Sequence, residues 1–317
     1  MPYTFEPDEL LSEAFARTAR EQLEGAETAL TTELESDRAA AVHSARKSVK
    51  KERALLRLMR GAVNPRERRR QNDALRRATR HLSKSRDAEV MISTLDDLSD
   101  RYAGQVPHPV FAVIRERLEA DRGADGDGSA EAEVAARLAA IREHMADWQL
   151  QRHGWEAIDD GLSRTYQRGR GAFARAQRRP SDENLHAWRK RVKDLWYQLR
   201  LLAPVGGGAV RGQSKDAGAL ADLLGDDHDL AVLRVTLERI GVDVATDLDA
   251  VIGLVDHRRG ELQAAALSLG ERVYAEKPKA FRRRLRQYWR AGRDERHDAE
   301  HRDPAELAHI TRQPGAH

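Results

Sequence analysis

Four residues in the stretch HAWRKRVKD carry positive charge or an imidazole at helical spacing: His186, Arg189, Lys190 and Lys193. Steps of three and four residues place these side chains on one face of an α-helix, and Arg200 continues the same face. Like charges packed this closely repel one another, so an anion that neutralises them would stabilise the helix. The stretch therefore indicates a polyanion-binding site.

The same pattern occurs a second time upstream. Residues 43–58, HSARKSVKKERALLRL, align without gaps with residues 186–201, HAWRKRVKDLWYQLRL, at an offset of 143 residues. Residues 82–91 align with 224–233 at an offset of 142. Chance would give about one or two identities in sixteen residues of this composition, so the sequence predicts an internal duplication. The identical pairs of the first alignment are His43/His186, Arg46/Arg189, Lys47/Lys190, Val49/Val192, Lys50/Lys193, Leu56/Leu199, Arg57/Arg200 and Leu58/Leu201.

Helical periodicity runs through nearly the whole chain, and its breaks fall at glycine- and proline-containing segments such as GAVNP and APVGGGAV. Glycine accounts for only 22 and proline for 10 of the 317 residues, which is typical of a helical protein. We predict helices near residues 7–34, 37–60, 65–83, 86–102, 109–121, 130–147, 151–178, 182–202, 214–224, 227–240, 244–270 and 276–291.

An apolar seam lies beside the basic stripe of the second copy. It consists of Leu185, Trp188, Val192, Leu195, Leu199 and Leu202, again at steps of three and four. The stripe, which includes Tyr197, is shifted by one residue and thus rotated by about 100°, so it flanks the core. A merely solvated face would lie opposite the seam and mix both charge signs. The predicted fold class is all-α: two internally duplicated helical-bundle halves related by a pseudo-twofold axis around a basic groove.

The two histidines that open the stripes, His43 and His186, suit a phosphate ligand. A neutral imidazole can donate a hydrogen bond to a phosphate oxygen. Near the ordinary histidine pKa of about 6.5, a bound phosphate would favour the charged form. We therefore expect phosphate contact to strengthen in mild acid.

Composition excludes several classes of protein. The chain has no cysteine, which excludes disulfides, thiol catalysis and cysteine-ligated metals. No apolar run approaches the roughly 20 residues of a membrane span, and the first residues lack a signal-peptide pattern. We therefore expect a cytoplasmic protein. The net charge of +3 says little about partners, so the position of the charges matters more.

Motifs for enzymes, metals and cofactors are incomplete. No P-loop is present, and no ExExK motif of the triphosphatase type occurs. His297 and His301 lie four residues apart in a charged tail but without an HExxH pattern. The stretch DGDGSAEAE lacks the glycine and glutamate that a calcium loop requires, at Ala130 and Ala136. The sequence thus predicts no catalytic residues, no cofactor and no metal site.

The paired basic stretches resemble the conserved histidine α-helical domain (CHAD) family. The resemblance also rests on the Arg86–Asp87 and His228–Asp229 turns, YQRGRGAFARA at 166–176 and EKPKAFRRRLRQYW at 276–289. It implies a CHAD domain over residues 1–293, with halves of about 1–145 and 146–293, followed by a charged, flexible tail at 294–317. It also implies non-catalytic binding of inorganic polyphosphate in the groove, with proposed targeting to polyphosphate granules.

By position, the resemblance assigns polyphosphate contacts to both stripes. Lys51 and Arg53 match Asp194 and Trp196 of the second copy, so we expect the halves to contribute unequally. Asp229, like Asp87, is expected to orient arginines or cap a helix. The candidate binding residues are His43, Arg46, Lys47, Lys50, Lys51, Arg53, Arg57, Arg168, Arg170, His186, Arg189, Lys190, Lys193, Tyr197 and Arg200.

Two alternatives use the same groove. Nucleic acid is a competing polyanion, but single-strand binders add exposed aromatic side chains for base stacking. Trp188 and Trp196 are expected on or beside the apolar seam, with only Tyr197 on the basic face. The second alternative is a scaffold that binds an acidic protein partner. Chain-length dependence would distinguish it, since polyphosphate affinity should grow with polymer length.

Overall fold

The protein is all-α over the residues that its computed structural model describes. These are residues 3–80, 82, 84–120, 129–240 and 245–300, without the side chains of 84–88, 108, 240, 245–247 and 294–300. Within these ranges there are ten α-helices, a 3₁₀ turn at Met59–Gly61, and no β-strand. The helices are α1 (Leu11–Thr31), α2 (Arg38–Leu58), α3 (Pro65–Arg80), α4 (Lys84–Arg101), α5 (His108–Ala120), α6 (Ser129–Ala146), α7 (Gly154–Arg178), α8 (Asp182–Ile240), α9 (Ala245–Val273) and α10 (Pro278–Glu300).

The helices that carry the basic stripes begin at residues that suit a helix start. The Asp37 carboxylate accepts a hydrogen bond of 2.9 Å from the amide of Ala40, which caps α2. The Ser181 hydroxyl accepts a bond of 3.4 Å from the amide of Asn184 at the start of α8. Both starts agree with the sequence prediction within one residue.

Helix α8 is a hairpin of two arms that reverse at Gly207. This residue has φ 67° and ψ −159°, a conformation open to glycine because it has no Cβ. The two arms are residues 182–206 and 208–240. The stacked rings of His186 and His228, whose centroids are 4.3 Å apart, show that the arms lie side by side. A Cβ at Gly218 would likewise lie 2.9 Å from Trp196 Nε1. In each of these two pairs, His186/His228 and Trp196/Gly218, the two residues are equally far from Gly207 along the sequence, as antiparallel arms require.

Two predicted interruptions in this region are wrong. The predicted loop at 203–210 reduces to the reversal at Gly207, and the predicted break between 224 and 227 is absent because the second arm continues to Ile240. The sequence pair His228–Asp229 is therefore part of a helix and not a turn.

The apolar seam is confirmed as core. Its residues in the first arm, from Leu185 to Leu202, are each at most 3% exposed. They belong to a main core that includes Leu55 of α2 and Trp289 of α10, so this core joins residues on both sides of position 145. A second core combines α4, α5, the end of α8 and α9.

The N-terminal segment packs where α2 and the first arm of α8 meet. The Tyr3 hydroxyl donates a hydrogen bond of 2.7 Å to the carbonyl of Lys51. The Phe5 amide donates one of 3.0 Å to the carbonyl of Leu201. Both aromatic rings are 1% exposed, so this segment fixes the two helices that carry the basic stripes.

Other sequence predictions concern the ends of the described ranges. The charged tail falls mainly on 301–317, which lie outside the described residues, while the helix predicted to end at 291 extends to Glu300. The linker predicted around DGDGS lies at 121–128, also outside the description. None of the described helices combines the length and apolarity that a membrane crossing needs.

Candidate functional site

A pocket of about 390 Å³ lies between α2, α4 and both arms of α8. Both arms of α8 line it, because the hairpin brings residues near 228 beside those near 189. We call it the basic pocket. It is lined by His43, Arg46, Lys47, Lys50, Val90, Met91, Arg189, Lys193, Trp196, Tyr197, Asp222, His228, Asp229 and Val232.

Cations outnumber carboxylates in the lining. Five lysine or arginine side chains face two aspartates, Asp222 and Asp229. Three of the cations come from α2 and two from α8, so neither stripe forms the pocket alone. Arg46 is held in place by a hydrogen bond of 2.9 Å from its Nη1 to the carbonyl of Leu82. An excess of positive charge in a concave site attracts anions.

His186 and His228 form a stacked pair at the edge of the pocket. Their rings are inclined by 30°. Burial lowers the pKa of each to about 4, and the nearby charges of Arg189 and Lys190 contribute in the same direction. Both imidazoles are therefore neutral at neutral pH. The expectation of an ordinary pKa near 6.5 is wrong for His186 in the unliganded protein.

The residue before His228 fastens the second arm to α9. Asp227 is 2% exposed, and its carboxylate accepts bonds from Arg259 Nε at 3.1 Å and Gln263 Nε2 at 2.8 Å. This anchor fixes the position of His228 on the arm. Asp229 lies in the interior of the helix, so it does not cap one.

One wall of the pocket is aromatic. Tyr197 is 4% exposed, packs edge-on against Tyr3 and stacks on Trp196, so it is a buried wall residue rather than part of an open basic face. Trp196 also lines the pocket, and the Arg200 guanidinium lies 5.4 Å from its ring centroid. The expectation that only Tyr197 accompanies the cations is therefore wrong. Trp196 also occupies the space beside Gly218.

Lys51 and Arg200 lie beside the pocket. The ammonium of Lys51 is 5.4 Å from the centroid of the Tyr3 ring. Burial, together with the charges of Arg200 and Lys47, lowers the pKa of Lys51 to about 8. Among the described residues, neither of these two cations makes an ion pair with a carboxylate.

Other predicted contacts lie elsewhere. Arg53 donates to Asn72 Oδ1 at 3.2 Å, and burial lowers the pKa of its guanidinium to about 10. Arg170 donates to the carbonyl of Tyr274 at 3.2 Å. Arg57 and Arg168 line a different cavity, described below.

The structure thus brings together seven of the fifteen candidate residues: His43, Arg46, Lys47, Lys50, Arg189, Lys193 and Tyr197. Lys190 is exposed and acts on both imidazoles from outside the lining. His228, Trp196 and Asp222 line the pocket without having been among the candidates. The aligned segment 224–233 contains His228 and Asp229, and it was the sequence feature that could have identified His228 as a site residue. Among the described side chains, no three histidines or carboxylates are grouped as a metal site would need.

Comparison with known proteins identifies the family to which the chain belongs. The CHAD domain model matches residues 14–238. A search of curated proteins finds no match. The crystal structure of the CHAD domain from the plant Ricinus communis is similar, with a TM-score of 0.54 and 19% identity over 90% of this chain and 96% of that one. The structure of PptA from Streptomyces chartreusis has a TM-score of 0.53 and 15% identity, over 83% of this chain and 98% of that one. Because the family model matches well over half of its residues, this chain belongs to the CHAD domain family.

Proposed function

We propose that this CHAD domain binds inorganic polyphosphate, without transforming it, in a basic groove centred on the basic pocket. The observation that carries the proposal is that residues aligned by the predicted sequence repeat line one pocket together. Arg46 and Lys50 line it together with Arg189 and Lys193, their counterparts at an offset of 143 residues. Val90 and Val232, paired at an offset of 142, line it too.

Side-chain interactions at equivalent positions support two halves related by a pseudo-twofold axis. Arg57 pairs with Asp194 at 3.1 Å, and the charge of Arg200 acts on Lys51. At the 143-residue offset, Arg57 corresponds to Arg200 and Lys51 corresponds to Asp194, so the two interactions join equivalent pairs of positions. Two copies around a twofold axis make contacts that exchange in this way.

The domain proposed for residues 1–293 extends beyond the segment matched by the family model. Tyr3 and Phe5 at one end and Trp289 at the other belong to the main core. Residues that share one core fold as one unit. We place the protein in the cytoplasm, at polyphosphate granules, on the strength of the proposed ligand.

The lining suits a flexible chain with about one charge per phosphate and no bases. Arginine can hold two phosphate oxygens at once, whereas lysine acts as a mobile point charge. The mixed lining therefore supplies several modest contacts along a chain, and affinity should increase with polymer length until the groove is filled.

Single-stranded nucleic acid is the second candidate, because Trp196 lines the pocket and an aromatic ring can stack on a base. Tyr197, the other aromatic residue of the wall, is almost fully buried, which leaves little surface for successive bases. An acidic protein partner would use the same cations.

A competition titration tests the ligand. Labelled long-chain polyphosphate is displaced by unlabelled polyphosphates of several lengths, single-stranded DNA, RNA or an acidic polypeptide, at matched charge and near-physiological salt. Polyphosphate should displace best, and better with increasing length. Equal displacement by nucleic acid would mean that the pocket recognises charge alone. The length of the bound polymer, followed on a gel, should stay constant during incubation.

Charge reversal tests the site. The variant Lys47→Glu, Lys50→Glu, Lys190→Glu and Lys193→Glu should lose binding and keep its circular dichroism spectrum, because the apolar seam is untouched. The matched control reverses four exposed cations outside the pocket, Arg117, Arg178, Lys277 and Lys279. Equal affinity of the two variants would refute the assignment of the pocket.

A further inference from the structure

A second group of cations lies apart from the basic pocket, where the end of α2 meets α7 and the first arm of α8. It surrounds a cavity of about 30 Å³ whose lining also contains Gly161, Thr165 and the carboxylate of Asp194. We call it the arginine cluster. Its members are Arg57, Arg60, Arg68, Arg164, Arg168 and Arg191.

Carboxylates neutralise only part of this cluster. Asp194 pairs with Arg57 at 3.1 Å and with Arg191 at 3.4 Å, and Asp160 pairs with Arg60 at 3.3 Å.

The three remaining guanidiniums, those of Arg68, Arg164 and Arg168, make no hydrogen bond or ion pair with any side chain or carbonyl that the structure describes. The Nε atom of Arg68 is buried without a hydrogen-bond partner. A buried donor without an acceptor costs free energy, as does the repulsion among like charges. The burial of Arg68 and the like charge of Arg60 also lower the pKa of its guanidinium. An anion would relieve both costs.

We propose that the arginine cluster binds a single phosphate group. Guanidinium forks match the oxygens of a phosphate in pairs, and the cluster contains arginine without lysine. A cavity of about 30 Å³ has room for an oxygen atom or two and not for a polymer, which suits one phosphate group seated by its oxygens. Free orthophosphate and the terminal phosphate of a chain both supply this chemistry.

The cluster is not a copy of the repeated stripe. At the 143-residue offset, the positions of Arg164, Arg168 and Arg191 correspond to Glu21, Gly25 and Ser48. The corresponding region of the first half therefore lacks these three cations. The proposal concerns a separate site and does not depend on polyphosphate binding in the basic pocket.

Binding of radiolabelled orthophosphate by equilibrium dialysis tests the site. The measurement uses the full chain with Lys47→Gln and Lys193→Gln, which weakens the basic pocket. We expect saturable binding of one phosphate per chain. Adding Arg164→Gln and Arg168→Gln should weaken it by about tenfold or more, because two charge-assisted contacts are lost. Both arginines are exposed, so the fold should tolerate the change.

A matched control adds Arg117→Gln and Arg178→Gln, which removes the same charge from exposed positions outside the cluster and should leave phosphate binding unchanged. The same dialysis with tripolyphosphate separates the two sources. If orthophosphate binds and its binding requires Arg164 and Arg168, the ligand is the free phosphate ion. If only tripolyphosphate binds, and its binding requires the same two arginines, the ligand is the terminal phosphate of a chain. Absence of binding by both probes, or equal loss in the control, would overturn the proposal. Each result is independent of long-chain binding in the basic pocket.

Discussion

The number of cations in the basic pocket sets the expected salt dependence of polyphosphate binding. Five lysine and arginine side chains line it. Each phosphate that they neutralise releases counterion, with a slope of log K against log salt of about −0.7 per contact for a flexible single chain. Five contacts thus give a slope of about −3.5, so raising salt from about 50 to 200 mM should weaken binding by roughly 100-fold.

Replacing two of these cations changes the slope by a predictable amount. In the variant Lys47→Gln and Lys193→Gln, three contacts remain, the slope should be about −2, and the same rise in salt should weaken binding by roughly 20-fold. Fluorescence anisotropy of labelled polyphosphate at four salt concentrations measures both slopes. The control Lys277→Gln and Lys279→Gln should follow the wild-type line. A double variant whose line runs parallel to that of the wild type would show that these lysines do not contact the polymer, and the reasoning would fail.

Three further predictions concern histidine, packing and a buried acid. The pKa of His186 and of His228 is about 4 in the unliganded protein, and a bound phosphate that raises this pKa makes the complex take up protons. Polyphosphate affinity should therefore rise as pH falls from 7.5 to 5.5, by at most about tenfold per pH unit for each proton taken up. Titrations at both pH values should show a smaller rise for His228→Gln. Gly161→Ala places a Cβ 1.9 Å from the carbonyl oxygen of Leu58, so overpacking should destabilise the fold by about 1–3 kcal/mol in urea unfolding; an unchanged midpoint would contradict this close approach. Burial raises the pKa of Glu52 from 4.5 to about 8, so the contribution of the protonated side chain to stability is present below pH 4.5 and is lost as pH rises to 8. Glu52→Leu should raise the free energy of unfolding by about 3 kcal/mol at pH 7 and should flatten its dependence on pH in unfolding curves. An unchanged pH profile would exclude a proton on Glu52.

The helices and the core face could be predicted from the sequence because hydrophobic periodicity records which side of a helix is buried. Trp188 and Val192 of the seam are 0% exposed, as their spacing predicts. Breaks were harder to place. Gly206, Gly207 and Gly208 all resemble a loop, yet one residue with positive φ is enough to reverse α8. Gly225 resembles a helix end, but the helix continues through it because tertiary packing outweighs local propensity.

The candidate site could be predicted only in part, because periodicity identifies a face of one helix and not its neighbours. Lys50 and Arg57 share a stripe of α2, but Lys50 faces the pocket while Arg57, two turns later, meets Asp194. A stripe on one helix that crosses another changes neighbours along its length. His228 enters the site through the reversal of α8, which no local pattern specifies.

One difference between the copies accounts for much of the asymmetry between the two basic regions. Where the second copy has Asp194, its carboxylate holds Arg57 and Arg191 and so orders part of the arginine cluster. The first copy has Lys51 at the equivalent position, which faces Arg200 with like charge. A carboxylate allows guanidiniums to pack closely around a small anion. The repulsion between two like charges is instead lowered by a long polyanion that reaches both. We therefore propose that the same crossing of α2 and α8 supports two sites for ligands of different size, so variants in one should leave binding at the other intact.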